Sequence, residues 1–204
     1  PTNPAWRIPG VDPRFASFMR TPVNAGANPS NGAVINYYAS EVTDTTKASI
    51  IIMDKNKSVI KTFSTDSKDN KLDIVKGMNQ FNWNLQYPPA ETVDGMILWN
   101  GNPGGITAPP GEYYYRVKVG NDSAENNFTV VADPNYKCSQ QDYEAQFDFL
   151  QKVMGKFNEV QKGIKNIRDL RTQITGFVAK QGKDCPKDVK DMADSITKRL
   201  TGIE

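Results

Sequence analysis

The chain reads as an α+β protein: an antiparallel β-sandwich followed by an antiparallel helical hairpin. Two observations carry this. From Ala33 to Asp133, short runs of β-branched and aromatic residues alternate with turn residues, as strands with one buried and one wet face require. After Asp133-Pro134 the apolar spacing changes from two to about 3.6, the period of a helix.

Residues 1–31 form an extended, proline-rich lead-in, since six of the thirteen prolines fall within the first 29 residues. Its Trp6, Phe15 and Phe18 need shelter, on this domain or on a neighbouring one. Residues 32–134 supply the strands "AVINYYA", "ASIIIMD", "SVIKTFS", "FNWNLQY", "GEYYYRVKVG" and "NNFTVVAD", and six or seven strands at this spacing argue for a sandwich. In "YYYRVKV", Tyr113, Tyr115, Val117 and Val119 share the core face, while Tyr114, Arg116 and Lys118 share the wet one. "MDKNKS" is a hairpin turn in which Asn56 is the residue suited to the left-handed conformation. In "FNWNLQY" the alternation directs Phe81, Trp83 and Leu85 to the core and Asn82, Asn84 and Gln86 to solvent or a neighbouring strand.

Residues 135–204 form the hairpin. Ser139 and Asp142 make a capping box with Asp in place of Glu, and an apolar stripe then runs from Tyr143 to Val178. Gly155, Gly163 and Gly176 each weaken this helix, by about 1 kcal/mol against Ala, so it can bend near Gly163. "KQGKDCPKD" is a turn, with Pro186 suited to the first position of a second helix that ends near Ile203. That helix spans about 27 Å and the first about 60 Å at 1.5 Å per residue. Paired antiparallel, it covers the distal stripe and leaves Tyr143, Phe147, Leu150, Met154 and Phe157 without a partner from that helix. These five residues are therefore the candidate interface, for self-association or for packing on the chain's own sheets.

Composition narrows the function classes. Lysine plus arginine (25) nearly balance aspartate plus glutamate (23), so neither nucleic acid nor an anionic membrane surface is the expected partner. No apolar run of membrane-spanning length occurs, so membrane insertion is not expected. The start at Pro1 suggests a processed product or a piece of a longer protein. With no histidine, neither histidine metal sites nor Ser-His and Cys-His nucleophile systems can be assembled from the chain. Cys138 and Cys185 are a single disulfide or two thiols; a straight helix between them would hold them far beyond the about 7 Å limit on Cα separation, so no bridge is expected.

No carboxylate pair is convincingly placed for glycoside hydrolysis. Asp54, Asp66, Asp69 and Asp73 sit in turn-like sequence, where Asp bonds its own backbone. "NGNPGG" lacks the Gly-Lys-Ser/Thr ending of a phosphate loop and is read as a tight turn. Trp83 is assigned to the core. Trp99 is weighed first as core, then, with Tyr114, as a platform on which a sugar ring could stack.

The run "VIKTFSTDSKDNKLDIVKGMNQFNWNLQYP", followed by "GMILWNGNPGGITAPPGEYYYRVKVG", resembles the immunoglobulin-like domain of the flagellar hook-capping (FlgD-like) group. More closely it resembles the C-terminal region of large bacterial proteins with sortilin-type or Asp-box (BNR) β-propellers, often labelled glycosyl hydrolases. The matching residues are Gly32 to Tyr38, Gly77, Asn79, Phe81, Trp83, Leu85, Tyr87, Pro88, Gly95 to Trp99, Pro110, Gly111, Tyr113, Asp133 and Pro134. Asn84 and Gln86 depart from that pattern, standing where the family usually has Asp and Arg. The resemblance implies an Ig-like or fibronectin III-like sandwich plus hairpin. It implies a non-catalytic accessory module, without cofactor, that packs on the β-propeller of the same exported polypeptide. The alternative is a carbohydrate-binding module that meets polysaccharide through Trp99 and tyrosines.

Overall fold

A computed structural model describes residues 31–99, 101 and 103–204, together with the backbone of Ala5–Arg7. The rest of the lead-in, with the side chains of Trp6, Phe15 and Phe18, lies outside the described residues, as do Asn100 and Asn102 of "NGNPGG". The strands are β1 (Ala5–Arg7), β2 (Ala33–Ala39), β3 (Ala48–Met53), β4 (Val59–Ser64), β5 (Gly77–Trp83), β6 (Gly111–Val119) and β7 (Asp122–Ala132); the helices are α1 (Gln140–Gln181) and α2 (Lys187–Ile203). The α+β class, two antiparallel sheets and a C-terminal helical hairpin are thus as the sequence predicts.

One sheet has the order β1-β7-β6-β3-β4 and the other pairs β2 with β5. All pairings are antiparallel except that of β1, which adds to β7 in parallel. Register places Ile50 opposite Val117, Ile52 opposite Tyr115 and Tyr113 opposite Phe128, so these side chains fall on one face of the larger sheet. Together with Ile35 and Trp83 of the smaller sheet they make one buried cluster. The face assignments in "YYYRVKV" hold: Tyr113, Tyr115 and Val117 are buried, whereas Arg116 and Lys118 are exposed.

Trp83 is the largest fully buried side chain. Its ring lies 5.6 Å from that of Tyr113 and 5.9 Å from that of Phe128, and its Nε1–H donates to the Gln86 carbonyl at 3.2 Å. Leu85 is buried as expected, but not by continuing the strand. β5 ends at Trp83, and Leu85 takes φ +60°, a region costing a side chain about 1–2 kcal/mol. Burial of the leucine and the Ala108 N–H donated to the Leu85 carbonyl at 2.7 Å oppose that cost. The alternation in "FNWNLQY" therefore spans a strand and a bend, with Asn84 closing the bend by accepting the Gln86 N–H at 3.2 Å.

The 54–57 hairpin corrects a second expectation, because the left-handed residue is Lys57, at φ +60°, and not Asn56. The Asp54 carboxylate accepts the N–H groups of Asn56 and Ser58, both at 2.8 Å. The Lys57 N–H bonds the Asp54 carbonyl at 2.9 Å. This is a β-turn followed by one left-handed residue, the usual build of a three-residue hairpin loop.

The described residues divide into two compact units, one drawn from 1–88 and 105–149, the other from 89–104 and 150–204. α1 runs 42 residues without a break at any of its glycines. Its capping box forms reciprocally: the Ser139 N–H donates to Asp142 Oδ2 at 2.9 Å and the Asp142 N–H to Ser139 Oγ at 3.2 Å. Gly182 ends the helix at φ +59°, the left-handed cap glycine allows at little cost. Pro186 is the cap of α2, one residue earlier than expected. Both cysteines are free, Cys138 exposed and Cys185 buried.

Substituting Trp83→Ala is expected to lower stability by about 3–5 kcal/mol through the cavity it leaves. Asn84→Ala, on the wet side, should stay within about 1 kcal/mol, the worth of one hydrogen bond. Urea melts separate the two, and equal small losses would contradict the packing described.

Candidate functional site

In the first unit, the segment after β5 and the segment leading into β6 meet the opening turns of α1. Proline at 109 and 110 and glycine at 111 lead the chain into β6, placing Tyr113 so that its hydroxyl donates to the Pro109 carbonyl at 2.8 Å. Tyr87 follows the Leu85 bend and bonds the next segment through its N–H to the Ile106 carbonyl at 2.9 Å. Gly105 makes this approach possible: a Cβ there would lie 1.8 Å from the Tyr87 carbonyl oxygen. Glycine at 105 is thus a close-approach residue.

α1 docks onto this corner. The Phe147 ring sits 4.8 Å from the Tyr87 ring, tilted by 57°, and Gln140 Nε2 donates to the Pro110 carbonyl at 2.8 Å. An open groove of about 440 Å³ remains, walled by Tyr87, Pro109, Pro110 and Phe147 and edged by Asp54, Glu112, Glu144 and Asp148. Three of these acids serve local structure. Asp54 holds its own turn, Glu112 accepts from Asn127 at 2.6 Å, and Glu144 from Gln140 at 3.1 Å. Burial, reinforced by the Asp54 charge, pushes the Tyr87 phenol up to about 12, against a smaller opposing effect of its bond to Tyr113. Among the described residues no group of three His, Cys, Asp or Glu side chains is placed to hold a metal ion, and no helix is long and apolar enough to cross a membrane.

No protein-family model matches the chain, and no curated protein matches it.

The five candidate interface residues divide. Tyr143 and Phe147 belong to the first unit, where Phe147 packs on Tyr87; Leu150, Met154 and Phe157 belong to the second. All but Leu150 are half-buried. In the second unit the 89–104 segment is held by α1 through polar side chains that the sequence reading passed over. Asn158 Oδ1 accepts the Glu91 N–H at 2.9 Å, Gln161 Oε1 the Val93 N–H at 3.1 Å, and Arg168 Nη1 donates to the Asp94 carbonyl at 2.9 Å. Gln161 is the only buried residue of α1 among those described. Its position inside the apolar stripe, between Phe157 and Ile164, was the available signal.

The proposed stacking pair fares unevenly. Trp99 is 98% exposed, next to exposed Ile97 and Leu98, which corrects its assignment to the core. Tyr114 is half-buried on β6, with Lys57 Nζ 5.2 Å above its ring. That lysine is itself fixed by Glu125 at 2.6 Å, and Glu125 also takes Arg116 at 2.7 Å. The lysine and then the arginine hold the Glu125 carboxyl below its ordinary range. A second groove, of about 370 Å³, has Tyr37, Tyr38 and Tyr115 beside Asn36 and Asn126.

Two outcomes test this corner. Gly105→Ala should destabilise by about 1–3 kcal/mol, the cost of forcing atoms into filled space, read by thermal and urea melts. For Tyr87 the folded phenol titrates above the unfolded value of about 10. Its contribution is therefore complete below pH about 10 and lost as pH rises towards about 12. Tyr87→Phe should flatten the fall in stability over that window, measured by urea melts on either side of it.

Proposed function

We propose that this chain is a non-catalytic accessory module, an Ig-like or fibronectin III-like sandwich with a helical hairpin, belonging to a larger exported protein with a sortilin-type or BNR β-propeller. Its role is domain packing or protein interaction, its partner the propeller of the same polypeptide, and its place the periplasm, the cell surface or the medium. The observation that carries the reading is the use made of the motif residues. Trp83 enters the shared core, Tyr113 bonds backbone four residues upstream, and Tyr87 receives Phe147 of α1. A tyrosine near the start of a strand whose hydroxyl returns to the backbone just upstream is a feature of Ig-type sandwiches. The same residues are consumed in packing, so the motif resemblance is one of architecture.

Carbohydrate binding is the second reading, favoured by the full exposure of Trp99, because an indole clear of the surface offers a face to a sugar ring. The Lys57 ammonium over Tyr114 weighs against that tyrosine as its companion.

One experiment separates the readings. The chain is incubated with a panel of aryl glycosides and polysaccharides while turnover and tryptophan emission are followed. The accessory module is expected to show neither turnover nor an emission change. A saturable blue shift abolished by Trp99→Ala would establish carbohydrate binding instead, and hydrolysis abolished by a single Asp or Glu substitution would overturn both.

A further inference from the structure

α1 carries two apolar rows in the second unit, one residue apart and therefore about 100° apart around the helix. The first includes Gln161, Arg168 and Arg171, whose partners are Val93, Asp94 and Glu204 of the same chain. The second row runs from Val153 to Phe177 in alternating steps of three and four, the spacing of a coiled-coil seam. Among the described residues it has no such partners at four of its positions, Val153 being 49% exposed, Val160 53%, Leu170 42% and Phe177 54%, while Ile167 and Ile174 between them are half-buried.

We infer that this second row pairs with the same row of a second copy, the two α1 helices running antiparallel about a two-fold axis level with residue 165. The row is self-complementary only in that arrangement. Pairing positions that sum to 330 sets Val153 against Phe177, Val160 against Leu170, and Gly163 against Ile167, each layer matching a smaller with a larger side chain. A Cβ on Gly163 would meet nothing within 4 Å, so no contact among the described residues calls for a glycine there, in mid-helix, where glycine weakens the helix. Against a second copy it is the hollow that accepts Ile167. The remaining layer sets Lys156 against Ile174, where the long aliphatic stem covers the isoleucine and the ammonium keeps its ion pair with Glu159. A parallel pair would put Lys156 against Lys156 and Gly163 against Gly163, a like-charge contact beside a void.

Eight positions along about 36 Å of helix bury on the order of 700 Å² per copy, close to the about 800 Å² per partner of a standard stable interface. The occupant is a second copy because the row supplies its own complement in size at three of its four layers and covers the fourth with its own lysine stem, as a two-fold interface demands.

Sedimentation equilibrium of the whole chain over a micromolar concentration series tests the inference. A dimer is expected, and Val160→Lys or Leu170→Glu should each raise its dissociation constant roughly tenfold or more. Because residue 160 of one copy faces residue 170 of the other, mixing the two variants should restore a heterodimer in which the new lysine meets the new glutamate. Circular dichroism of each variant establishes that α1 is still formed. A chain that stays monomeric, or a dimer indifferent to both substitutions, would overturn the inference. So would rescue of Val160→Lys by Val160→Glu rather than by Leu170→Glu, since that result denotes parallel helices.

Discussion

The indole of Trp83 is the piece on which both sheets close. It rises from β5 of the two-stranded sheet, meets Tyr113 and Phe128 of the larger one, and must still satisfy one polar hydrogen in an apolar setting. The Gln86 carbonyl does so, and that requirement bends the chain straight after the strand. The left-handed Leu85, the return of Ala108 to its carbonyl, and the close passage of Gly105 past Tyr87 all lie downstream of that bend. So does the position of Tyr87, on which Phe147 rests. A local demand for one hydrogen-bond acceptor thus reaches the corner where α1 begins.

What could be read in advance follows from which forces leave a periodic trace. The two faces of β6 and the period of α1 were legible because burial repeats with the geometry of the element. The capping box of Ser139 and Asp142 was legible because its partners lie three residues apart. The end of β5 was not, since Leu85 is apolar at the alternating position whether the backbone is extended or left-handed. Lys57 in place of Asn56 escaped for a related reason: the Asp54 carboxylate selects the conformation of the turn, and composition does not record which N–H groups it accepts. The hold of Asn158, Gln161 and Arg168 on 91–94 was hidden by sequence separation, since amides on a helix look solvated until a distant segment is laid across them. The core assignment of Trp99 leaned on the alternation of aromatics in strands, which a loop-side residue does not obey.

The two units are stabilised in different ways. The first has a dense apolar and aromatic cluster. In the second, Gln161 and Cys185 are the buried residues among those described, and hydrogen bonds and ion pairs carry much of the contact. Glu204 takes Arg168 at 2.7 Å and also Arg171, and the first of these guanidinium groups is the main reason that its carboxyl titrates below the ordinary range. Directional bonds of this kind, open to solvent, fix geometry more than they add stability. Such a unit has specific internal angles and little apolar burial of its own, and apolar cover from outside would add the component it lacks.

The grip of α1 on residues 91–94 has one more consequence. Asn158, Gln161 and Arg168 bind main-chain N–H and C=O groups, which every residue except proline presents alike. The helix therefore fixes where the segment runs while remaining indifferent to what its side chains are. Ile97, Leu98 and Trp99, projecting further along the same loop, can be exchanged by mutation without disturbing the anchor. The fold thereby separates a handle held by main-chain bonds from a tip whose side chains take no part in that hold.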